Sequence, residues 1–377
     1  MKPMLRKLHQ VLGLSVGLWA VVAGLTGSVL VFSDAIDRWL HPQLLQVVPQ
    51  ALAPDVDAAV AAVQARFPDT PLQALRLPDE ADAPLVFRVG EDNAVLNVFV
   101  DPYTAEILGT RDQYGGAMGL LWDLHVHLLA GETGETVAGV LALFLIGMVI
   151  SGVVLWWPGR GRMASGFKLR WSAPLLPRLY NLHRVTGALT WPLLLVPAVT
   201  GIMLVFHGPI TAALIATLGG PPPNMPKLLP KVLPGAETVA ESSRAPLSQL
   251  LARADAALPG ARPVSVKFPQ RPDEPLVVRQ RFAANTHPNG RSFVAVHPRS
   301  GAVLKVHDWR AAGLGVRASD YKYPLHIGTA FGLPGRLLVL ATGLLPALLL
   351  GTGGYVWWRR RRATAARFQP QFQSQSQ

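Results

Sequence analysis

VAGVLALFLIGMVISGVVLWW, residues Val137–Trp157, runs for 21 residues without Asp, Glu, Lys or Arg. About 20 such residues suffice to carry a helix across a hydrocarbon core ~30 Å thick. Three further charge-free runs, Val11–Phe32, Val185–Phe206 and Leu337–Trp358, bring the expected spans to four. Composition agrees: the 377-residue chain is 50% hydrophobic and 15% charged, against roughly 25% charged residues in soluble globular proteins. A soluble cytosolic enzyme is excluded. The chain has no Cys, which excludes disulfides, iron–sulfur clusters, thiolate zinc sites, S-palmitoylation and covalent c-type haem attachment.

Positive charge collects in three places. Lys2, Arg6 and Lys7 precede the first run; Arg160, Arg162, Lys168, Arg170 and Arg178 separate the second from the third; Arg359 to Arg362 and Arg367 follow the fourth. These segments hold 13 of the 35 Lys and Arg residues and no acid, so the net charge of +12 reads as a membrane-orientation signal, with no nucleic acid implied. The positive-inside rule puts both termini and the middle loop in the cytoplasm. The long loops, about 34–136 and 207–336, then face the periplasm of a bacterial inner membrane. The first run is longer than the ~7–15 residues of a secretory h-region and is expected to stay as an anchor in the lipid bilayer.

The two halves of the chain repeat each other. Shifting the first run by 174 residues places Leu8-His9 on Leu182-His183, Gly13 on Gly187, and Thr26-Gly27 on Thr200-Gly201. Shifting the second by 201 places Leu124-His125 on Leu325-His326, Gly131 on Gly332, Gly134 on Gly335, Gly152 on Gly353, and Trp156-Trp157 on Trp357-Trp358. In the loops, Phe99–Leu108 resembles Ala295–Leu304, each after a helical stretch (Ala58–Phe67, Leu247–Leu258) and a strand-like one (Leu85–Val89, Leu276–Phe282).

The fold expected is therefore membrane α-helical: four transmembrane helices as two parallel span–domain–span repeats, each with a small periplasmic α+β domain, related by an axis along the membrane normal. In chain order these are a first transmembrane helix (1–33), a periplasmic domain (34–118), and a His-bearing segment with the second helix (119–158). A cytoplasmic loop (159–179), the third helix (180–207), and a linker with the second periplasmic domain (208–320) follow. A His-bearing segment with the fourth helix (321–358) and a cytoplasmic tail (359–377) complete the chain. Pro221–Pro226, Pro230 and Pro234 read as extended linker, and Gln369–Gln377 as a disordered tail.

Of ten histidines, four occupy equivalent positions: His9 with His183, and His125 with His326. One His at a helix end is ordinarily an interfacial residue bonded to water or a carbonyl. Duplication across an axis sets equivalent residues opposite each other, and two facing imidazoles are the axial ligands that six-coordinate haem iron needs. Without Cys, the cofactor would be heme b, two per chain, with His9 and His183 on the iron at one end and His125 and His326 at the other. His9, Gly13, Gly17, Ala20, Gly24 and Gly27 form a stripe down one helical face, suited to a flat macrocycle or to close helix packing.

Gly131–Gly134 and Gly332–Gly335 are expected to break or bend the helix after the second pair. His127 is an alternative to His125, disfavoured because position 328 is Gly, and His207 has Ser33 as its counterpart. His41, His287, His297 and His307 read as structural. Zinc would need a defined third ligand, and no His-Glu-x-x-His run occurs. Arg184 and Arg336 are candidates for haem propionates or for snorkelling to the interface. Trp122, His127, Glu132, Glu135, Tyr321 and Tyr323 border the periplasmic end as candidate substrate contacts or ordinary belt residues.

Leu-His-x-x-x-Gly opening a span, Leu124–Gly134 (Leu-His-x-x-Leu-Leu-x-Gly-Glu-x-Gly), Ser151–Pro158 (Ser-Gly-Val-Val-Leu-Trp-Trp-Pro) and Asp101-Pro-x-Thr-x-Glu together resemble the PepSY-associated transmembrane family up to Arg362. Proteins similar in this way include inner-membrane ferric-siderophore reductases with two haems b among four helices. The resemblance implies PepSY-like periplasmic domains, the second departing from the pattern with His297 for Asp101 and Gly301 for Ala105. It also implies an oxidoreductase that passes electrons to Fe(III) in a periplasmic siderophore, as part of iron transport. No nucleotide-binding motif is present, so the electron donor would be a cytoplasmic protein or a quinol. The alternatives are a PepSY-containing regulatory membrane protein without redox activity, a diheme cytochrome with another acceptor, and a permease, which four spans without intramembrane acids support poorly.

Overall fold

In hydrocarbon a backbone amide has no water to bond, so a charge-free run must satisfy its own N–H and C=O groups by coiling. The protein, described from a computed structural model covering residues 2–51, 53–91, 95–220 and 245–367, does this four times. The spanning helices are Lys2–Leu30, Gly131–Trp156, Leu175–Val205 and Gly332–Arg367, each long and apolar enough to cross a membrane. The first begins well before the charge-free run, so His9 rides on it. The helices form a ring in which the first and third each pack on the second and fourth. Backbones touch where Gly24 meets Gly343: a Cβ on Gly24 would lie 2.3 Å from the Gly343 carbonyl oxygen. The stripe on the first helix therefore serves helix packing at this point.

A short helix precedes the second and fourth spans, Gly116–His127 and Leu314–Ile327. Each is cut off by left-handed backbone, at Leu128 (φ 52°) and Leu129 (φ 59°) in one case and at Gly328 (φ 81°) in the other. Gly131 and Gly332 restart the chain with φ of 57° and 60°. The break thus falls a few residues earlier than the glycine runs suggested. Gly134 and Gly335 instead allow the chain to pack tightly on itself after the break, since a Cβ there would lie 1.5 Å from the His127 carbonyl oxygen or 2.2 Å from that of Gly328.

The segments between the spans carry eight strands: β1 (Leu72–Arg76), β2 (Leu85–Val89), β3 (Leu96–Val100), β4 (Ile107–Asp112), β5 (Ala261–Lys267), β6 (Leu276–Phe282), β7 (Ser292–Val296) and β8 (Val303–His307). Two separate small domains were expected. The structure instead joins both segments in one antiparallel sheet, ordered β4-β3-β2-β1-β5-β6-β7-β8. Alone, each four-stranded meander would leave a bare edge at β1 or β5, and pairing these edges removes both. One core follows, with Ala59 and Val63 from helix Val56–Arg66 and Leu250 and Ala254 from helix Leu247–Ala257 against Phe87, Val266, Phe268 and Val278.

Residues 208–218, assigned by sequence to a linker and domain, belong to an apolar helix, His207–Leu218, packed on Leu314–Ile327. The proline-rich stretch 221–234 and the tail 369–377 lie outside the described residues.

The two departures at the repeated turn preserve its geometry. Asp101 Oδ1 accepts from the Tyr103 and Thr104 amides at 2.8 and 3.3 Å. His297 Nδ1 accepts from the Arg299 and Ser300 amides at 3.2 and 3.3 Å. Ala105 and Gly301 are both left-handed, φ 58° and 68°. A non-glycine residue pays about 1–2 kcal/mol for that conformation, and glycine's extra unfolded-state entropy returns about 0.4–1. Ala105→Gly is therefore expected to stabilise by ~0.5 kcal/mol and Gly301→Ala to destabilise by a similar amount. Thermal unfolding in detergent, followed by Trp fluorescence, measures both. A lowered Tm for Ala105→Gly would refute the strain argument.

Candidate functional site

The ring of four helices brings the repeated histidines together across its middle. His9 on the first span faces His183 on the third, with ring centroids 6.3 Å apart and planes at 74°. His125, on the helix packed against the first and second spans, faces His326, on the helix packed against the third, at 6.1 Å and 59°. Each pair takes one ring from each half of the chain.

What orients each ring is a Ser-Gly or Thr-Gly dipeptide on a neighbouring helix. The hydroxyls of Thr26, Ser151, Thr200 and Thr352 each donate to a carbonyl of their own helix, those of Val22, Met148, Val196 and Leu348, all at 2.7 Å. With their protons so used, the hydroxyl oxygens accept from a histidine Nδ1–H. Thr26 accepts from His125 at 3.0 Å, Ser151 from His9 at 2.9 Å, Thr200 from His326 at 2.9 Å and Thr352 from His183 at 3.4 Å. The carbonyls of Met148 and Leu349 also accept from His9 and His183, at 3.2 and 2.9 Å. The proton is thereby assigned to Nδ1 in all four rings, which leaves each Nε2 with its lone pair.

The glycine that follows each hydroxyl makes room for the ring it orients. A Cβ would approach the ring Cε1 to 3.0 Å at Gly27 (His125), 3.1 Å at Gly152 (His9), 3.5 Å at Gly201 (His326) and 2.8 Å at Gly353 (His183).

These pairs have the dimensions of axial ligands. Metal–imidazole nitrogen bonds are about 2 Å long and the ring centre lies ~1 Å further, so two rings on opposite sides of one metal stand about 6 Å apart. Among the described residues no group of three or more His, Cys, Asp or Glu is placed to hold a metal ion. A six-coordinate metal held by either pair would need four other donors from outside these residues.

Around the first pair lies a cavity of about 500 Å³, walled by Gly13, Gly17, Gly187, Met148, Trp156 and Trp357. Arg6, Arg184 and Arg360 also line it. The Arg184 Nε is buried without a hydrogen-bond partner, a donor that an acidic group in the cavity would satisfy. Arg336, the other arginine singled out in the sequence, is placed differently. Its Nε and Nη2 donate to the Val31 carbonyl at 3.2 and 2.6 Å, capping the end of the first span, and the guanidinium lies over Phe32.

The remaining candidates fall into separate groups. Trp122 stacks on Tyr114 at 4.9 Å and meets His127 edge-on at 5.0 Å, while His127 Nδ1 bonds Asp123 at 2.7 Å, which sets His127 apart from the facing rings. Glu132 is exposed and Glu135 half-buried at the start of the second span, and neither lines a described cavity. Tyr321 lies 6.5 Å from Trp309 at the surface. Tyr323 lies inside a second cavity, of about 270 Å³, with His207, His287, Asn289, Arg291 and Lys322. His41 pairs with Asp37, which also takes both Arg111 Nη atoms, at 2.9 and 2.7 Å. His307 stacks on Phe293 at 5.0 Å.

The four hydroxyls were the residues that sequence reasoning missed. Their signal was present, since Thr26-Gly27 aligns on Thr200-Gly201 and Ser151-Gly152 on Thr352-Gly353, yet nothing in a linear sequence says which histidine each dipeptide serves.

The family model described as the PepSY-associated TM region matches residues 6–360. No curated protein shows significant similarity to the chain. With four apolar spans, a sheet built from the intervening segments and a match over nearly its whole length, this chain belongs to the PepSY-associated transmembrane family.

Proposed function

We propose that the protein is an inner-membrane reductase with two haems b, passing electrons from a cytoplasmic or quinol donor to Fe(III) in a periplasmic siderophore. The observation that carries this reading is the spacing of the two histidine pairs, 6.3 and 6.1 Å, with every Nδ1 engaged by a hydroxyl. When bound, the two haems supply one-electron transfer across a hydrocarbon core of ~30 Å that a single cofactor does not cover.

The chain's own residues do the rest. Ser151, Thr352, Thr26 and Thr200 fix tautomer and ring orientation and raise the basicity of the ligating Nε2. Gly152, Gly353, Gly27 and Gly201 let the imidazoles lie against neighbouring helix backbones. Arg184, with its unpartnered Nε, would hold a propionate on the cytoplasmic side. On the opposite side the acceptor is substrate: one electron per Fe(III) gives Fe(II), which hard oxygen ligands hold less strongly, and the metal is released. The pairing of matched residues across the bundle supports two parallel halves, with the sheet on the periplasmic side.

Orientation is testable apart from chemistry. Alkaline phosphatase fused after Asp101 or Val303 is expected to be active, and fused after Gly166 inactive, because the basic segments stay inside. The reverse pattern would overturn the direction of electron flow.

For the reaction itself, dithionite-reduced protein freed of excess reductant is mixed anaerobically with a ferric hydroxamate siderophore and ferrozine. Two Fe(II) per chain are expected, one for each haem reoxidised. Protein that keeps its electrons for hours before several siderophore classes, yet yields them to quinones, would defeat the siderophore assignment.

A further inference from the structure

The second cavity, about 270 Å³ in volume, lies between the His207–Leu218 helix, the loop ahead of β7 and the His326 helix. Its walls are rich in donors. Lys322, 4% exposed, donates from Nζ to His207 Nδ1 at 2.7 Å and to Ser319 Oγ at 2.8 Å. Because His207 Nδ1 accepts there, the proton of that ring sits on Nε2. His287, 5% exposed, accepts on Nδ1 from the Asn289 amide at 3.2 Å, so its Nε2 is likewise an N–H. Arg291, the Asn289 amide group and the Tyr323 hydroxyl add further donors.

Acceptors are few. Asp320 stands 2.9 Å from Arg291 Nε, and burial raises its pKa even with cations around it. Arg279, behind the cavity, adds a further positive charge that acts on His287 and Asp320. Asp34 acts on Tyr323, beside Arg76, and is not among the groups facing Lys322. The field is visible in the titrating groups: burial and then Arg291 press Lys322 down to about 8. Burial followed by Arg291, Arg279 and Lys322 presses His287 down to about 3, which keeps it neutral. Two cations and neutral imidazole donors against one carboxylate already spent on Arg291 leave room for one negative charge.

We propose that this cavity is a carboxylate-binding site, in which Lys322 and Arg291 supply the charge and the Nε2–H groups of His207 and His287 the neutral hydrogen bonds. The lining takes one carboxylate group, and any further carboxylates on the same molecule stay outside it. The inference goes beyond the reductase reading; it holds without it for a diffusible acid and rests on its haem for a propionate. The carboxylate has two possible sources. One is a diffusible acid, such as a carboxylate chelator, entering from the sheet side. The other is a propionate of a macrocycle held by His326, one helical turn from Lys322.

Full-length protein in detergent is titrated calorimetrically with citrate and, separately, with its neutral trimethyl ester at constant ionic strength, a comparison that needs no variant to fold. Binding of citrate but not the ester is expected, with Kd weakened at least about tenfold in Lys322→Gln and Arg291→Gln and largely restored in Lys322→Arg. That result identifies a diffusible acid. If citrate is ignored, the propionate source predicts that wild-type protein holds haem dimethyl ester more weakly than haem, a difference that Lys322→Gln abolishes. Indifference to citrate together with equal retention of haem and its dimethyl ester would overturn the site. Failure of the siderophore assay with citrate binding intact would count against the reductase reading alone.

Discussion

Protein purified from haem-replete cells is expected to carry two non-covalent haems per chain with low-spin bis-imidazole spectra, and single histidine substitutions should remove them one at a time. His9→Ala or His183→Ala deletes a ligand of the pair spaced at 6.3 Å, and His125→Ala or His326→Ala one of the pair at 6.1 Å. Each should halve the pyridine haemochrome yield, because each pair draws one ring from each half of the chain and a lone imidazole cannot close the site. A finer gradation tests the hydroxyls: Thr26→Ala and Thr200→Ala keep the ligands but remove the hydroxyl that accepts from Nδ1–H, and losses of this kind cost about 10–100-fold in affinity, whereas Ser151→Ala leaves His9 the Met148 carbonyl and should cost less. His127→Ala should leave haem content unchanged, since its ring bonds Asp123 and stands apart from the facing rings. Absence of haem from the wild-type protein would end the cofactor reading, and the two-haem reading would fall if His9→Ala and His326→Ala depleted the same spectral component.

The second large effect concerns glycines that look interchangeable. Gly→Ala within a helix ordinarily helps by about 0.5–1 kcal/mol. At Gly353 the new methyl would lie 2.8 Å from the His183 ring, at Gly27 3.0 Å from His125, at Gly152 3.1 Å from His9 and at Gly201 3.5 Å from His326. The ring must shift in the first case and not in the last. Gly353→Ala is thus expected to cost most of the haem bound by His183, Gly27→Ala and Gly152→Ala to weaken theirs, and Gly201→Ala to be tolerated. Gly147 and Gly351, with nothing within 4 Å of an added Cβ, are the controls. Retention of both haems by Gly353→Ala with an unchanged spectrum would show that the cradle is not needed.

The order of these four glycines could not be read from the repeat, which makes Gly152 and Gly353 look equivalent. Aligned residues share a role, but how closely the ring approaches is set by how each pair of helices packs. First and fourth helices meet backbone to backbone at Gly24 and Gly343, whereas the corresponding positions on the third and second are Ala198 and Ala142. The two halves are alike in plan and differ at the level of a methyl group.

By itself the sequence determined the spans, because a charge-free run of 21 residues has one low-energy form in hydrocarbon. It also determined which histidines are paired, because hydrophobic composition alone does not repeat His, Gly and Trp at fixed offsets. Tertiary structure decided the rest. Whether the two soluble segments form separate domains or one sheet depends on the β1–β5 edge, a contact between residues nearly two hundred positions apart. Which hydroxyl serves which histidine depends on helix neighbours, so Ser151 orients His9 and Thr26 orients His125. The cavity of Lys322, His207 and His287 was invisible for the same reason: these residues come from three segments, have no counterpart pattern in the first half, and acquire a common electrostatic field only when the chain is folded.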